Sequence, residues 1–294
     1  MGPPRVAEEA PPTVDMNASW RNRNGASQTF SGVLVNLTGP MPATYTIVDG
    51  NTNYGNVANN ALGACTTNCF RVGVSSTRPP GAQHWDATVI ETITPLAQGQ
   101  QKKWTLHIGD SFTDVPRGGF YKFVETLLHY SITGGCGATT YCPTTATTRD
   151  QMSVFVLAAK EGAGFAPRAC TTPVFSDVPA SSPFCPFIEE LARRGVVGGC
   201  GGGRYCPADA VTREQMAVFT LRTLDPALVP PLCTTPVFAD VPATSPFCRW
   251  IEELARRHVV SGCGMGNYCP TSPVTREQMG VFISATFGFV LYGV

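Results

Sequence analysis

The sequence predicts a multidomain chain: an all-β sandwich over residues 16–109, then a mainly α unit made of three related segments, 110–166, 167–229 and 230–294. Three observations predict it. Short runs rich in Val, Thr, Phe and Tyr fill the first part, and near residue 110 they give way to helical periodicity. The stretch CTTPVFSDVPASSPFCPFIEELARRGVVGGCGGGRYCPADAVTREQMAVF at 170–219 recurs without a gap at 233–282, 63 residues on, and a more divergent copy begins at Phe112. A fixed period means repeated supersecondary units, each burying a face against its neighbours. Twelve cysteines, finally, fall into close couples.

Taken in order, residues 1–15, MGPPRVAEEAPPTVD, read as a Pro-rich arm or linker. They hold no apolar core of a signal peptide, so the chain is expected to be the mature part of a longer precursor, or its gene start to be misplaced. Strands are expected at 27–38, 43–50, 69–76, 84–94 and 102–109, with clear alternation in Ala87–Ile93 and Trp104–Ile108. Five or more strands in about 95 residues, without helical periodicity, argue a small Greek-key sandwich of immunoglobulin-like type. Trp85 reads as core rather than as a sugar platform. Asn17-Ala-Ser19 and Asn36-Leu-Thr38 match the glycosylation acceptor pattern. No catalytic constellation is visible here.

Each later copy reads as helix, Gly-rich loop, helix. In the second copy Phe187, Ile188, Leu191 and Ala192 mark one apolar face, with Glu189, Glu190, Arg193 and Arg194 opposite; Trp250, Ile251, Leu254 and Ala255 repeat it in the third. Glu189, Glu190, Glu252 and Glu253 are therefore expected on the solvent face. Gly195 ends the first of these helices, and His258 takes its place in the other. Thr148, Thr212 and Thr275 stand as N-caps with Gln151, Gln215 and Gln278 three residues on, which predicts three capping boxes worth about 1 kcal/mol each. Arg149, Arg213 and Arg276 then open their helices, where the helix dipole disfavours a cation. A misfit placed three times calls for a partner: a salt bridge to Asp114, Asp177 or Asp240 of the same copy, or an acidic ligand clamped at a helix N-terminus. The Gly-rich loop lacks the Lys-Ser/Thr and preceding strand of a phosphate-binding loop.

The couples Cys65/Cys69, Cys136/Cys142, Cys170/Cys185, Cys200/Cys206, Cys233/Cys248 and Cys263/Cys269 lack the spacing of zinc knuckles and are expected as disulfides in an exported protein. Cys65 and Cys69 would pinch a loop at one end of the sandwich. No metal or other cofactor is expected. Formal net charge is zero and charged residues are 14% of the chain, so no general attraction to nucleic acid or anionic lipid is expected. No apolar run approaches the roughly 18 residues of a membrane span.

FxDVP, a helix, a Gly-rich loop ending in aromatic-x-Pro, and TRxxM at a second helix together resemble the S-layer homology (SLH) domain, in three copies over residues 112–285. The resemblance implies a pseudo-threefold trimer of repeats within one chain. It also implies noncovalent attachment of an exported protein to an acidic, often pyruvylated, cell-envelope polysaccharide at the bacterial cell surface. The sugar-binding role in the inter-repeat grooves would pass to Arg149, Arg213 and Arg276. The chain departs from that pattern at Cys185 and Cys248, where the family carries aromatic residues, and in its Gly-Cys loops, which make it a disulfide-reinforced variant. The expected function is a non-enzymatic surface anchor with the sandwich as spacer or presenter. The alternative is a self-assembling subunit of an extracellular filament, sheath or layer, its partners neighbouring copies held through the N-terminal arm or a sandwich edge.

Overall fold

The computed structural model describes residues 13–65, 69–75, 77, 84–95 and 100–292. The chain divides into two compact units: one holds the residues up to Thr113 together with Tyr292, the other is Asp114–Leu291. The first is built of antiparallel sheets, the second of helices.

Among the described residues the strand unit has nine strands: β1 (Val14–Met16), β2 (Ser19–Arg21), β3 (Gln28–Thr38), β4 (Tyr45–Asp49), β5 (Asn51–Val57), β6 (Leu62–Ala64), β7 (Phe70–Val74), β8 (Trp85–Thr94) and β9 (Gln101–Ile108). They pair in the orders β5-β3-β8-β9, β1-β7-β4 and β2-β6. The five expected strands are there to within about two residues at each end. Four others, β1, β2, β5 and β6, are not among the expected strands; β5, at seven residues, has an Asn-rich NTNYGNV that lacks β-branched residues other than Thr52 and Val57. β1 begins inside the stretch read as an arm, where Asp15 pairs with Arg71 at 2.6 Å; residues 1–12 of that arm lie outside the described residues. Phe70, Val72, Ala87, Val89 and Leu106 are fully buried, and Trp85, at 7% exposure, is core as expected.

Cys69 is corrected in one respect. The sequence places it at the head of the strand 69–76, but β7 starts one residue later, at Phe70, and Cys69 stands outside the ladder, half-buried. The reason is its disulfide to Cys65, which holds the two Cα atoms 5.5 Å apart at a sequence separation of 4. As a disulfide partner Cys69 is as expected.

Alternation along β8 also carries a charge inward. Glu91 is fully buried: its Oε1 accepts the Tyr54 hydroxyl at 2.5 Å, and its Oε2 accepts Trp20 Nε1 at 2.9 Å and Trp104 Nε1 at 2.7 Å. Lys102 lies over the Trp104 ring at 3.6 Å. Gly32 leaves the room, since a Cβ there would collide with Glu91 Oε1. Three donors stand in for the water that the carboxylate loses.

In the helical unit each copy of the repeated stretch gives two helices: α1 (Tyr121–His129) and α2 (Arg149–Glu161), α3 (Cys185–Arg193) and α4 (Arg213–Leu224), α5 (Cys248–Arg256) and α6 (Arg276–Thr286). Equivalent side chains meet at the centre: Leu127, Leu191 and Leu254 from the first helices and Met152, Met216 and Met279 from the second are fully buried. Gly195 and His258 take positive φ, 69° and 57°, just past α3 and α5, and Ser131 does the same after α1. With Cys65–Cys69 in the strand unit and Cys136–Cys142, Cys170–Cys185, Cys200–Cys206, Cys233–Cys248 and Cys263–Cys269 in this one, all six cysteine couples close as disulfides. No helix among the described residues is long and apolar enough to cross a membrane.

Two expectations about the helices are also corrected. Glu190 and Glu253 do not lie on the solvent face: they are 5% and 2% exposed, against an intermediate Glu189 and Glu252. The reason is local. Arg193 and Arg194 fold onto Glu190 from three and four residues on, and Arg256 and Arg257 onto Glu253, so each carboxylate is neutralised where it is buried. The capping box is likewise present at Thr212 and Thr275 but not at Thr148. There Asp150, one methylene shorter than Glu214 and Glu277, turns back so that its Oδ1 accepts the Gln151 N–H at 2.7 Å and the Thr148 hydroxyl at 2.5 Å.

Candidate functional site

The three second helices start around a common axis. Thr147 N donates to Val274 O at 2.9 Å, Val274 N to Val211 O at 2.8 Å, and Val211 N to Thr147 O at 2.9 Å, a closed triangle of backbone bonds among three fully buried residues. One residue later the chain turns into the N-caps, each with φ near −80° and ψ near 160°. The first helical N–H groups then find carbonyls of the next copy: Arg149 N on Asp209 O, Arg213 N on Ser272 O and Arg276 N on Thr145 O, at 2.9–3.0 Å. These are the donors a helix leaves unpaired at its start, and here they are already taken.

The three arginines complete the ring. Arg149 Nε donates to Tyr205 O at 2.8 Å, Arg213 Nε to Tyr268 O at 2.7 Å and Arg276 Nε to Tyr141 O at 2.8 Å. In return each tyrosine hydroxyl donates to the backbone carbonyl of its arginine at 2.9 Å. The guanidinium carbon sits 4.7–4.8 Å from that tyrosine ring and 5.5–5.6 Å from Phe219, Phe282 or Phe155. The cation at the helix start is thus satisfied by a carbonyl and two aromatic faces.

The same-copy salt bridge expected for these arginines does not form. Asp114, Asp177 and Asp240 each spend both carboxylate oxygens on two backbone N–H groups of their own loop, those of Tyr141 and Cys142, Tyr205 and Cys206, and Tyr268 and Cys269, at 2.7–2.8 Å. Cys142, Cys206 and Cys269 take φ near 58° there, and a disulfide to the start of the loop, at Cys136, Cys200 and Cys263, holds each one. Staple and carboxylate together set the carbonyl that receives the arginine of the preceding copy. Cys65 and Cys69 have no such role: their disulfide belongs to the strand unit and takes no part in this site. Sequence reasoning named the arginines but missed their tyrosines, whose fixed place five residues after the first cysteine of each loop was visible.

Arg149, Arg213 and Arg276 are only 6–8% exposed, and burial lowers the Arg213 pKa against the pull of Tyr268 and Asp240. What they leave for a ligand is the guanidinium end. Arg276 Nη2 is buried without a hydrogen-bond partner, and Arg149 Nη1 reaches only Gln215 Oε1, at 3.4 Å. Arg149 and Gln215 face a cavity of about 150 Å³, shared with Val197, Gly199, Val218 and Phe247, which brings together side chains of all three copies. It offers a cation, an amide and an aromatic edge, and no pair of groups arranged for acid–base or nucleophilic chemistry lines it.

A search of curated proteins finds no match to this chain. The family model of the S-layer homology domain matches residues 174–217, which run from just before Phe175 through the Gly-rich loop into α4. The segment around Arg213 and Tyr205, residues 174–217, therefore matches an S-layer homology domain.

Proposed function

We propose that this protein is a non-enzymatic anchor of the bacterial cell surface, exported, and held noncovalently to acidic cell-envelope polysaccharide. The S-layer homology domain is a structural anchoring domain rather than a catalytic one, and the dense disulfides fit an extracellular site. In this reading segments 110–166, 167–229 and 230–294 act as three such repeats in a pseudo-trimer. Residues 16–109 are an immunoglobulin-like sandwich that spaces or presents, and residues 1–15 an arm before it.

The observation that carries the reading is the cavity beside Arg149. Its buried guanidinium is anchored through Nε, so its outer nitrogens are held in place at almost no further entropic cost when an acidic sugar arrives. Arg213 and Arg276 hold the equivalent places in the other two copies.

Because the arginines also join the copies, their removal would confuse binding with folding. Pull-down on purified cell-wall polysaccharide is therefore done with Val218→Glu and Gln215→Ala, which place an anion in the cavity or remove its amide. Wild-type protein sediments with the polysaccharide, Val218→Glu does not, and Gln215→Ala is weakened. Equal retention of all three would discard the cavity as the site.

A further inference from the structure

The repeat supplies its own internal control. In the second and third copies a strap leading into the first helix is fastened by a disulfide, Cys170–Cys185 or Cys233–Cys248, and stands off the helix to leave a groove. The groove of the third copy holds about 460 Å³. At equivalent positions 63 residues apart, Ala166 becomes Val229, Arg168 becomes Pro231 and Ala169 becomes Leu232. All three changes run toward apolar or larger apolar side chains, on a strap facing water: Val229 is 75% and Leu232 78% exposed, beside Val237 at 67%, which the second copy matches with Val174 at 68%. Exposed aliphatic residues clustered in this way are a cost in a lone soluble module.

The strap is rigid as well. Arg249 Nε donates to Pro230 O at 2.8 Å, the Val237 N–H donates to Glu252 Oε1 at 2.9 Å, and the disulfide ties Cys233 to the fully buried Cys248. A preorganised apolar ridge beside an open groove is both knob and hole. We infer that the Leu232 ridge and the groove of the third copy form an interface with a second copy of this chain, each molecule seating Leu232 and Val237 in the groove of the other.

Charge and chemistry choose that occupant. The groove carries Glu252 and Glu253 with Arg249 and Arg256, two charges of each sign, so a two-fold axis sets opposite charges against each other, as a reciprocal contact requires. Among the described residues no aromatic ring lines it, which removes the usual stacking platform for a sugar, and the Glu252 carboxylate opposes an anionic one. The interface is separate from the Arg149 cavity and goes beyond anchoring.

The test is the mass of the full chain in solution, by sedimentation velocity and light scattering across a concentration series, with polysaccharide pull-down in parallel. Wild-type protein is expected to reach twice the monomer mass. Leu232→Asp, at a residue exposed in the single chain, is expected to stay at monomer mass with unchanged circular dichroism and to retain polysaccharide binding. Ala169→Asp, the same change in the second copy, should dimerise as wild type does. A wild type monomeric throughout, a Leu232→Asp that still dimerises, or a Leu232→Asp that loses polysaccharide binding with its mass unaltered would each overturn the interface.

Discussion

Arg213 and Tyr268 hold each other twice, guanidinium to tyrosine carbonyl at 2.7 Å and tyrosine hydroxyl to arginine carbonyl at 2.9 Å, with the ring under the cation at 4.8 Å. The two residues belong to successive copies of the repeat, so this pair is a joint, and three such joints close the ring. Tyr268→Phe keeps the ring and the Arg213 Nε bond but removes the hydroxyl that donates to the Arg213 carbonyl, which retains its bond within the helix, a cost of about 0.5–1.5 kcal/mol. Thermal unfolding followed at the helix signal should show a lower midpoint, and Tyr205→Phe and Tyr141→Phe should lower it similarly. A midpoint equal to wild type in all three would show that the hydroxyls do not hold the copies together.

At the axis one of the three copies is imperfect. Thr147 occupies the place of Val211 and Val274, fully buried, and its Oγ1 has no hydrogen-bond partner. Valine has nearly the same shape and no group to satisfy. Thr147→Val is therefore expected to stabilise the helical unit by about 1 kcal/mol, read as a higher denaturant midpoint with unchanged slope. A lower midpoint would mean the hydroxyl is satisfied in solution.

The start of α2 differs from its two relatives in a way substitution can resolve. Asp150 caps Gln151 N itself, whereas in α4 and α6 the threonines do so, Thr212 for Gln215 and Thr275 for Gln278. Asp150→Ala should cost about 0.5–2 kcal/mol, the usual range for a lost N-cap, while Thr148→Val costs less. In α4 the order reverses, with Thr212→Val costing more than Glu214→Ala. Denaturant titrations of the four variants decide it; the same order in both helices would refute the swap.

Much of this was legible in the sequence because the repeat writes each local feature several times. Helix pairs, N-cap threonines and cysteine couples all depend on residues within about fifteen positions of each other. The partner of Arg149 is 56 residues away, and that of Arg276 is 135 away in the first copy, so the tyrosines' place in each loop is legible but their pairing with the arginines is not a local pattern. The Cys65–Cys69 couple is legible from its spacing, whereas β-propensity alone extends the strand back to Cys69, one residue before β7 begins. Glu190 looked solvated because its arginines were read as a polar face, whereas they neutralise it in place. Glu91 was readable after all: it stands in phase with Ala87, Val89 and Ile93, so strict alternation already pointed it inward.

The two units carry buried carboxylates shifted in opposite directions, so they should answer pH with opposite sign. Burial pushes the Glu91 carboxyl up, against the hydrogen bonds of Tyr54, Trp20 and Trp104 and the charge of Lys102. Between the ordinary carboxylate range and that raised value the folded strand unit holds a proton that the unfolded chain has released. Its stabilising effect is thus complete in acid and is lost as the pH rises through the raised value. Asp15, paired with Arg71, acts the other way but is exposed, where solvent screens the pair. In the helical unit Arg193 and Arg194 pull Glu190 down, for Glu253 the bonds from Arg257 and Arg256 outweigh burial, and for Asp177 the backbone N–H groups of Tyr205 and Cys206 do so, whereas burial raises Glu214 and Glu277. The three lowered groups contribute stability that is present at neutral pH and fades as the pH falls through the lowered values, and Glu214 and Glu277 offset part of it. Trp20, Trp85 and Trp104 lie in the strand unit and Trp250 in the other, so tryptophan fluorescence mainly follows the first and the helical circular dichroism signal the second. As pH rises from acid toward neutral, the fluorescence midpoint should fall while the helical midpoint climbs. Glu91→Gln keeps one acceptor oxygen but turns an amide toward donors, so it should lower the fluorescence midpoint, by about 1–3 kcal/mol for each donor orphaned, and flatten its pH dependence. Midpoints that move together, or a Glu91→Gln curve as steep as wild type, would place the strand unit's titration elsewhere.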